Sequence, residues 1–486
     1  GVPFWGRKKI PASSNGGGRR FSKEGGNNMC PDPECVLRTL HLSNFRCFPE
    51  IHLDFHPRLT VLVAPNGGGK TAVLDAVAMA LRLFVDTMEG RATSKGFDAL
   101  DLRRVLTADG AMETVPPVRL EATARIMGED LIWARERISG SSSRTPSAEA
   151  QGLRRRAEML SRENTQWIEG KIQTPPDFPL IAYYGTGRLW SFMKLTKGKR
   201  AKTPTPNARS RGYTDCLASS SHYKLFVDWF RRFSYEAKQE QTSERSSLHR
   251  PRELLQAVSE AVDAALCPSG WGHLEWDFAE DLPRARHPVL GQLPIDALSD
   301  GIRTTIGLVA DLAHRAALLN PHLRGQAPRR TSGIVLIDEV DMHLHPEWQQ
   351  RVLPLLLEAF PLVQFLVTTH SPQVLSTVDR RSLRVLRLLD DGALAEIPHL
   401  QTRGVESADV LAAVMGVDPI PQVEEARWLA DYRAILGDGD PESAEAAELR
   451  RRLLEHFGPD HPVMLDCDRL LRFRAFRPAH PGREGR

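Results

Sequence analysis

The stretch VLVAPNGGGKT, residues 61–71, constrains the fold more than any other part of the sequence. Its second half, Gly69-Lys70-Thr71, matches the phosphate-binding pattern G-x-x-x-x-G-K-[ST], but Ala64 stands where the pattern has its first glycine. The apolar run LTVLV before the loop is typical of a buried strand, and the residues after it repeat apolar side chains at helical spacing. A glycine-rich loop between a buried strand and a helix is the setting in which phosphate is bound. The sequence therefore predicts a nucleotide site.

The parts of this loop have distinct expected tasks. Its backbone N–H groups and the helix N-terminus would surround a phosphate group. Lys70 would reach the β- and γ-phosphates of ATP, and Thr71 would hold Mg²⁺. The residues expected to contact the nucleotide are Ala64, Pro65, Asn66, Gly67, Gly68, Gly69, Lys70 and Thr71.

Two carboxylates end a second apolar run, IVLIDE. Because unpaired buried charge is costly, adjacent carboxylates at a strand end indicate function. We expect Asp338 to act on Mg²⁺ through its water shell and Glu339 to polarise the attacking water. A third apolar run, VQFLVTTH, ends at His370, which we expect near the γ-phosphate. A helix between these two runs predicts a right-handed crossover and a parallel sheet.

The stretch ALSDGIRTTIGLVADLAH, residues 297–314, predicts a helix that begins after Ser299. Ser299 is well placed as its N-cap, and the first N–H groups of the helix would form a second anion site. An ordinary capped helix is the alternative interpretation.

Composition narrows the class of protein. The chain of 486 residues is 41% hydrophobic and 26% charged with a net charge of +3, as in soluble globular proteins. No apolar run of about 18 residues exists, so we expect no membrane span. Scattered cysteines indicate a reducing compartment, and we expect a cytoplasmic protein. Residues 194–213 carry seven Lys or Arg and no acid, which allows either a solvated loop or a phosphate-backbone contact.

Metal ligation offers competing interpretations. A transition-metal site would use the cluster Asp338, Glu339, His343, His345 and His370. Such a site would not need the glycine-rich loop, and Mg²⁺ prefers oxygen ligands, so the nucleotide interpretation is favoured. The Asp466-x-Asp468 pair is interpreted as part of a helix, since too little chain follows for a nuclease fold.

The order of these segments resembles that of ATP-binding-cassette (ABC) ATPases over residues 36–75 and 295–375. The stretch LHLSNFRCFPEIHLDF before the loop is similar to the RecF/SMC/OLD branch of that class. The stretches IAYYGTGRLW and ADVLAAVMGVDP look like the PtuA-like ATPase subunit of Septu and retron antiphage systems.

This resemblance implies an α/β P-loop ATPase head with a mixed central sheet, a helical insertion and a helical C-terminal tail. Two such heads sandwich two ATP molecules, so that the loop Gly67–Thr71 of one copy faces Ser299 and Gly301 of the other. Asp341 would then lie at the seam of the dimer, and Arg46 near the phosphates. The class places a glutamine in the segment 184–190, where this sequence has none and Arg188 is the nearest polar candidate.

The resemblance also implies the cofactors ATP and Mg²⁺, a second copy of the chain, and an HNH-type nuclease as partner, and it leaves DNA or another nucleic acid open. The leading hypothesis is the ATPase of an antiphage complex. A RecF-like DNA-repair ATPase and a nucleotide-dependent switch with little turnover are the alternatives.

We expect five regions along the chain. They are a disordered leader (1–28), an ATPase lobe with the phosphate loop (29–137), a polar helical insertion including a strand at 178–184 (138–264), a second ATPase lobe (265–404) and a helical region for partner docking (405–486).

The departure at Ala64 gives a direct test. Ala64→Gly should leave the affinity for ATP within a few-fold, because the three following glycines supply the close backbone approach. Lys70→Ala should abolish hydrolysis, since the β- and γ-phosphates lose their cation. Nucleotide titration and a phosphate-release assay measure both. A large gain in affinity from Ala64→Gly would indicate a decayed site.

Overall fold

The computed structural model describes residues 33–91, 96–138, 150–187, 209–218, 223–239, 251–389 and 392–475. The expected leader 1–28, Arg188 and residues 194–208 of the basic stretch lie outside these ranges. None of the helices in the described ranges is both long and apolar enough to cross a membrane.

A six-stranded mixed sheet forms the centre of the molecule. In spatial order its strands are β15 (Ala393–Glu396), β14 (Leu383–Leu388), β3 (Leu59–Val63), β13 (Val363–Thr368), β12 (Gly333–Ile337) and β8 (Leu180–Tyr184). All neighbouring pairs are parallel except β14 and β15. Every residue of β3, β8, β12 and β13 is buried, as expected for parallel strands covered on both faces.

A four-stranded antiparallel sheet packs beside the central sheet. Its spatial order is β2 (Phe48–Asp54), β1 (Cys35–Phe45), β6 (Val118–Ile126) and β7 (Glu129–Arg137). Buried and half-buried residues alternate along β6, so one face lies on the core. From the sequence, Pro49 and Pro57 predict turns between short strands. The prediction at Pro49 is wrong, because the turn lies at Arg46 and Cys47, and Pro49 is inside β2. Since β2 is an edge strand, proline is tolerated there.

One buried side chain joins the two sheets. Gln364, the second residue of β13, accepts a hydrogen bond from the Leu37 N–H at 2.8 Å. Its amide nitrogen donates to the carbonyls of Leu37 at 2.9 Å and His56 at 3.0 Å. Gln364 thereby satisfies backbone groups of β1 that the antiparallel ladder leaves unpaired.

Smaller strands and the helices complete the fold. The remaining strands are β4 (Arg104–Leu106) paired with β5 (Met112–Thr114), and β9 (Gly272–Asp277), β10 (Leu282–His287) and β11 (Gly291–Pro294) in one sheet. The helices are α1 (Lys70–Met88), α2 (Gln151–Ile168), α3 (Tyr223–Gln239), α4 (Pro251–Leu266), α5 (Asp300–Leu319), α6 (Ala327–Arg330), α7 (Pro346–Gln349), α8 (Val352–Ala359), α9 (Pro372–Leu375), α10 (Ser407–Ala413), α11 (Glu424–Asp438), α12 (Ala444–Phe457) and α13 (Pro462–Ala475).

The helices α11, α12 and α13 form a small hydrophobic cluster of their own. Tyr432, Leu453 and Met464 lie at its centre, apart from the main core. Asp468 pairs with Arg450 at 2.7 Å on this bundle, and Asp466 pairs with an arginine of its own helix. The helical interpretation of Asp466-x-Asp468 is therefore confirmed.

Gln364→Leu should lower the free energy of unfolding by about 3 kcal/mol, because leucine removes the partner of the buried Leu37 backbone groups and of the half-buried His56 carbonyl. Urea denaturation followed by circular dichroism measures this. Gln256→Leu, at an exposed position on α4, is the matched control and should cost less than about 0.5 kcal/mol. An equal loss in the free energy of unfolding for the two substitutions would contradict the role of Gln364 in joining the two sheets.

Candidate active site

The carboxyl ends of four parallel strands meet at one edge of the central sheet. The phosphate loop follows β3, the Asp338-Glu339 pair follows β12, and His370 comes shortly after β13. Backbone pairing continues past the strand ends, since the Asp338 N–H donates to the Tyr184 carbonyl at 2.8 Å. The structure thus brings three separately predicted segments to one place, where open α/β sheets bind ligands.

The phosphate loop has the backbone that its glycines allow. Gly67 and Gly69 have φ of 75° and 87°, in the region that favours glycine. Ala64 is not among the residues with positive φ, and its side chain is buried against Gly68, where an added Cβ would lie 2.7 Å from that of Ala64. An alanine therefore fits the first position of this loop without backbone strain.

A hairpin tip covers the loop from the side of the antiparallel sheet. A Cβ added at Gly69 would collide with the ring of Phe48 and would lie 2.9 Å from the Cys47 sulfur. The sequence interpretation did not single out Cys47 or Phe48. Gly69 is consequently required for two reasons, its positive φ and the absence of space.

Lys70 is buried and bends back over its own loop. Its Nζ donates to the carbonyls of Ala64 at 2.8 Å and Pro65 at 3.1 Å. Burial lowers the pKa of Lys70, and the charges of Asp338, Glu339 and Asp341 oppose that shift. These two carbonyls hold the Lys70 ammonium group inside the loop. The oxygens of a bound anion would replace them as its hydrogen-bond acceptors.

The two residues predicted to serve Mg²⁺ are in direct contact. The Thr71 hydroxyl donates to Asp338 Oδ2 at 2.9 Å. The other oxygen, Oδ1, accepts from the Thr368 hydroxyl at 2.6 Å, so the carboxylate is held in orientation. A hydroxyl beside a carboxylate is the oxygen-only donor set that Mg²⁺ takes, which fits this ion.

Two adjacent threonines position the acidic segment, residues 338–341. The Thr368 hydroxyl accepts from the Glu339 N–H at 2.7 Å, and Glu339 has an unusual φ of 48° for a residue other than glycine. The Thr369 hydroxyl donates to Asp341 Oδ1 at 2.5 Å. The sequence interpretation named His370 but missed these threonines, although their place just before it in the TTH run was a signal.

Arg46 lies beside the first turns of α1. Its guanidinium donates to Asp75 Oδ2 at 2.5 Å and to Asp101 Oδ1 at 2.9 and 3.1 Å. Asp75 follows Thr71 by one helical turn, so Arg46 is close to the predicted phosphate region but is paired with carboxylates. Its contact with a phosphate stays a prediction.

Ser299 is the N-cap residue of α5, as predicted, but its exposed side chain makes no capping hydrogen bond. Gly301 packs against the segment after Glu339, because an added Cβ would lie 3.0 Å from the His343 carbonyl. The start of α5 therefore packs against His343 and Leu344 of its own chain and leaves the Ser299 side chain exposed.

Two of the three histidines of the competing metal interpretation, His343 and His345, are exposed, and His370 is half-buried. His343 lies on the loop after the acidic pair, and His345 Nδ1 accepts from the Glu347 N–H at 3.4 Å at the start of α7. The residues that the structure describes contain no group of three or more His, Cys, Asp or Glu side chains that could hold a metal ion.

Comparisons with known proteins give two family matches and several relatives. Residues 39–260 match the family described as "AAA domain", and residues 215–376 match "AAA domain, putative AbiEii toxin, Type IV TA system". The chain is 25% identical over 484 residues to "Retron Ec83 probable ATPase" of Escherichia coli, covering 88% of this chain and 85% of the relative. It is 24% identical over 464 residues to "Retron Vc95 probable ATPase" of Vibrio cholerae serotype O1 biovar El Tor, covering 87% of each.

A further relative is "Septu protein PtuA" of Bacillus thuringiensis, 25% identical over 177 residues, with 36% of this chain and 44% of the relative covered. These matches confirm the resemblance that the motifs indicated and the α/β ABC-type P-loop ATPase fold. They also support ATPase activity.

The hairpin over Gly69 can be tested against a second glycine of the loop. Gly69→Ala should weaken ATP binding about tenfold more than Gly67→Ala, because only Gly69 meets Phe48 in addition to needing a positive φ. Nothing lies within 4 Å of a Cβ added at Gly67, which makes it the matched control. Calorimetric titration with ATP measures both. Equal losses would show that backbone conformation alone requires Gly69.

Proposed function

We propose that this relative of retron and Septu ATPases binds ATP with Mg²⁺ and hydrolyses it in a site that two copies of the chain share. The contact between the Thr71 hydroxyl and Asp338 at 2.9 Å carries the proposal. It joins the phosphate loop and the acidic strand end, which are far apart in sequence, in the arrangement that a Mg²⁺–nucleotide complex needs.

The residues of the site have complementary roles in this reaction. Backbone N–H groups of residues 66–69 surround the phosphates, and Lys70 offsets the charge of the β- and γ-phosphates. Mg²⁺ would be held by Thr71 and Asp338, and it would supply charge neutralisation at the transferring phosphate. Glu339 accepts the proton of the attacking water, and His370 contacts the γ-phosphate.

A second copy completes the site. Ser299 is exposed, makes no capping bond within its own chain and stands at an N-terminus whose N–H groups favour an anion. In the proposed dimer, Ser299 and Gly301 of the partner copy contact the phosphates bound at residues 67–71, and Asp341 lies at the seam.

We further propose that the ATPase controls a nuclease of HNH type in an antiphage complex in the cytoplasm. Relatives described as retron ATPases and as a Septu protein support this setting. Residues 405–475 are the proposed docking region, because α11, α12 and α13 pack around a core of their own.

Glu339→Gln should reduce ATP hydrolysis at least about 100-fold and leave ATP binding within about threefold, because glutamine keeps the shape but cannot accept the proton. Glu347→Gln, an exposed glutamate on α7, is the matched control and should retain wild-type turnover. Phosphate release and nucleotide titration measure the two quantities. Unchanged hydrolysis in Glu339→Gln would show that another group is the base.

The partner is tested by purifying the chain from its native operon and assaying ATPase and nuclease activity together. We expect a nuclease to co-purify and its activity to depend on ATP. A chain that purifies alone from an operon of replication genes would favour a repair ATPase. A wild-type chain that binds ATP but hydrolyses none, with DNA and partner present, would favour a nucleotide switch.

A further inference from the structure

Two consecutive tyrosines at the end of β8 connect opposite sides of the sheet. Side chains alternate along a strand, so Tyr183 and Tyr184 point to different faces. Both are almost fully buried, and burial raises the pKa of each, so both hydroxyls stay protonated and donate hydrogen bonds. The pair also touches the acidic strand end, since the Tyr184 carbonyl accepts from the Asp338 N–H.

Tyr183 is bound to the phosphate-loop helix. Its hydroxyl donates to Asp75 Oδ1 at 2.8 Å, and the other oxygen of Asp75 accepts from Arg46. Asp75 lies on α1 one turn beyond Thr71, on the same side of the helix. A displacement of Tyr183 would therefore act on the part of α1 that carries Thr71.

Tyr184 is bound to α5, the helix that begins after Ser299. Its hydroxyl donates to Asp311 Oδ2 at 2.7 Å, and Arg315 Nε donates to the same oxygen at 2.8 Å. Asp311 and Arg315 are buried, at 1% and 3% exposure. Removing a donor from the buried Asp311 carboxylate would cost free energy. Tyr184, Asp311 and Arg315 are therefore expected to move as one unit.

We propose that Tyr183 and Tyr184 are positioning residues that couple α5 to the phosphate-loop helix of the same chain. Asp311 lies about 18 Å along the helix axis from Ser299, and a helix transmits displacement over that length as a rigid element. When Ser299 contacts ATP bound by the partner copy, α5 shifts, and the tyrosine pair passes the shift to Asp75 and to the Asp338 backbone. The proposal rests on the proposed function, since it requires the shared ATP site.

The test is a double-mutant cycle in the full chain, with Tyr184→Phe and Ser299→Ala alone and combined. Tyr184→Phe should lower kcat for ATP about tenfold and leave the Kd for ATP within about threefold, because it disturbs alignment rather than binding. In the Ser299→Ala background the same substitution should lower kcat by less than about twofold, because α5 no longer acts on the partner's nucleotide.

Tyr213→Phe is the matched control. Tyr213 is equally buried, and its hydroxyl donates to the Pro179 carbonyl at 2.9 Å, just before β8, without touching a carboxylate of either helix. It should keep the wild-type kcat. Circular dichroism checks the fold of each variant, and Tyr183→Phe replaces Tyr184→Phe in the cycle if the latter does not fold.

Two results would overturn the proposal while wild type hydrolyses ATP. The first is a kcat of Tyr184→Phe equal to that of Tyr213→Phe. The second is a kcat of the double variant that equals the product of the separate effects of Tyr184→Phe and Ser299→Ala. A wild-type chain without ATPase activity, or one whose activity survives Lys70→Ala, would instead overturn the proposed function, and the coupling with it.

Discussion

Parallel pairing of β3, β13, β12 and β8 determines where each part of the site lies. Parallel strands end at the same edge, so the phosphate loop, the acidic pair and His370 meet although they are separated by most of the chain. The strands hold this register because all their residues are buried, and a slip by one residue would interchange the two packed faces. Gln364 on β13 connects the same edge-forming sheet to the antiparallel sheet, whose hairpin covers Gly69.

The charges of the site are complementary to a ligand that carries both positive and negative charge. Asp338, Glu339 and Asp341 come within one short segment, and Lys70 is the cation among them whose pKa they raise against the effect of burial. Threonine hydroxyls orient two of the carboxylates, which limits their freedom to move away from each other. A Mg²⁺–triphosphate complex brings positive charge to the carboxylates and negative charge to Lys70 and the loop N–H groups. In the proposed function, Mg²⁺ and the triphosphate would therefore bind more favourably together than either would alone.

Much of this site could be predicted because its parts are local in sequence. The glycine-rich loop, the apolar strands and the cap position of Ser299 each depend on residues within a few positions of one another. The threonines before His370 had a local signal, but their contacts with Asp338 and Asp341 join distant segments, as does the hairpin tip over Gly69. No local pattern encodes which groups meet across such distances. The turn predicted at Pro49 was wrong for a related reason, since the sequence alone did not show that Pro49 would lie in an edge strand. The carboxylate partners of Arg46 were hidden in the same way.

A mixing experiment tests most directly whether two chains share one site. One chain carries Lys70→Ala and the other Ser299→Glu, an exposed change whose carboxylate would repel phosphates at the loop that it faces. If Ser299 serves the partner's loop, each mixed dimer has one site with both residues intact, and the equimolar mixture should recover roughly a quarter of wild-type ATPase activity. If Ser299 serves its own loop, every chain in the mixture keeps a defect. A mixture no more active than the separate variants would contradict the shared site.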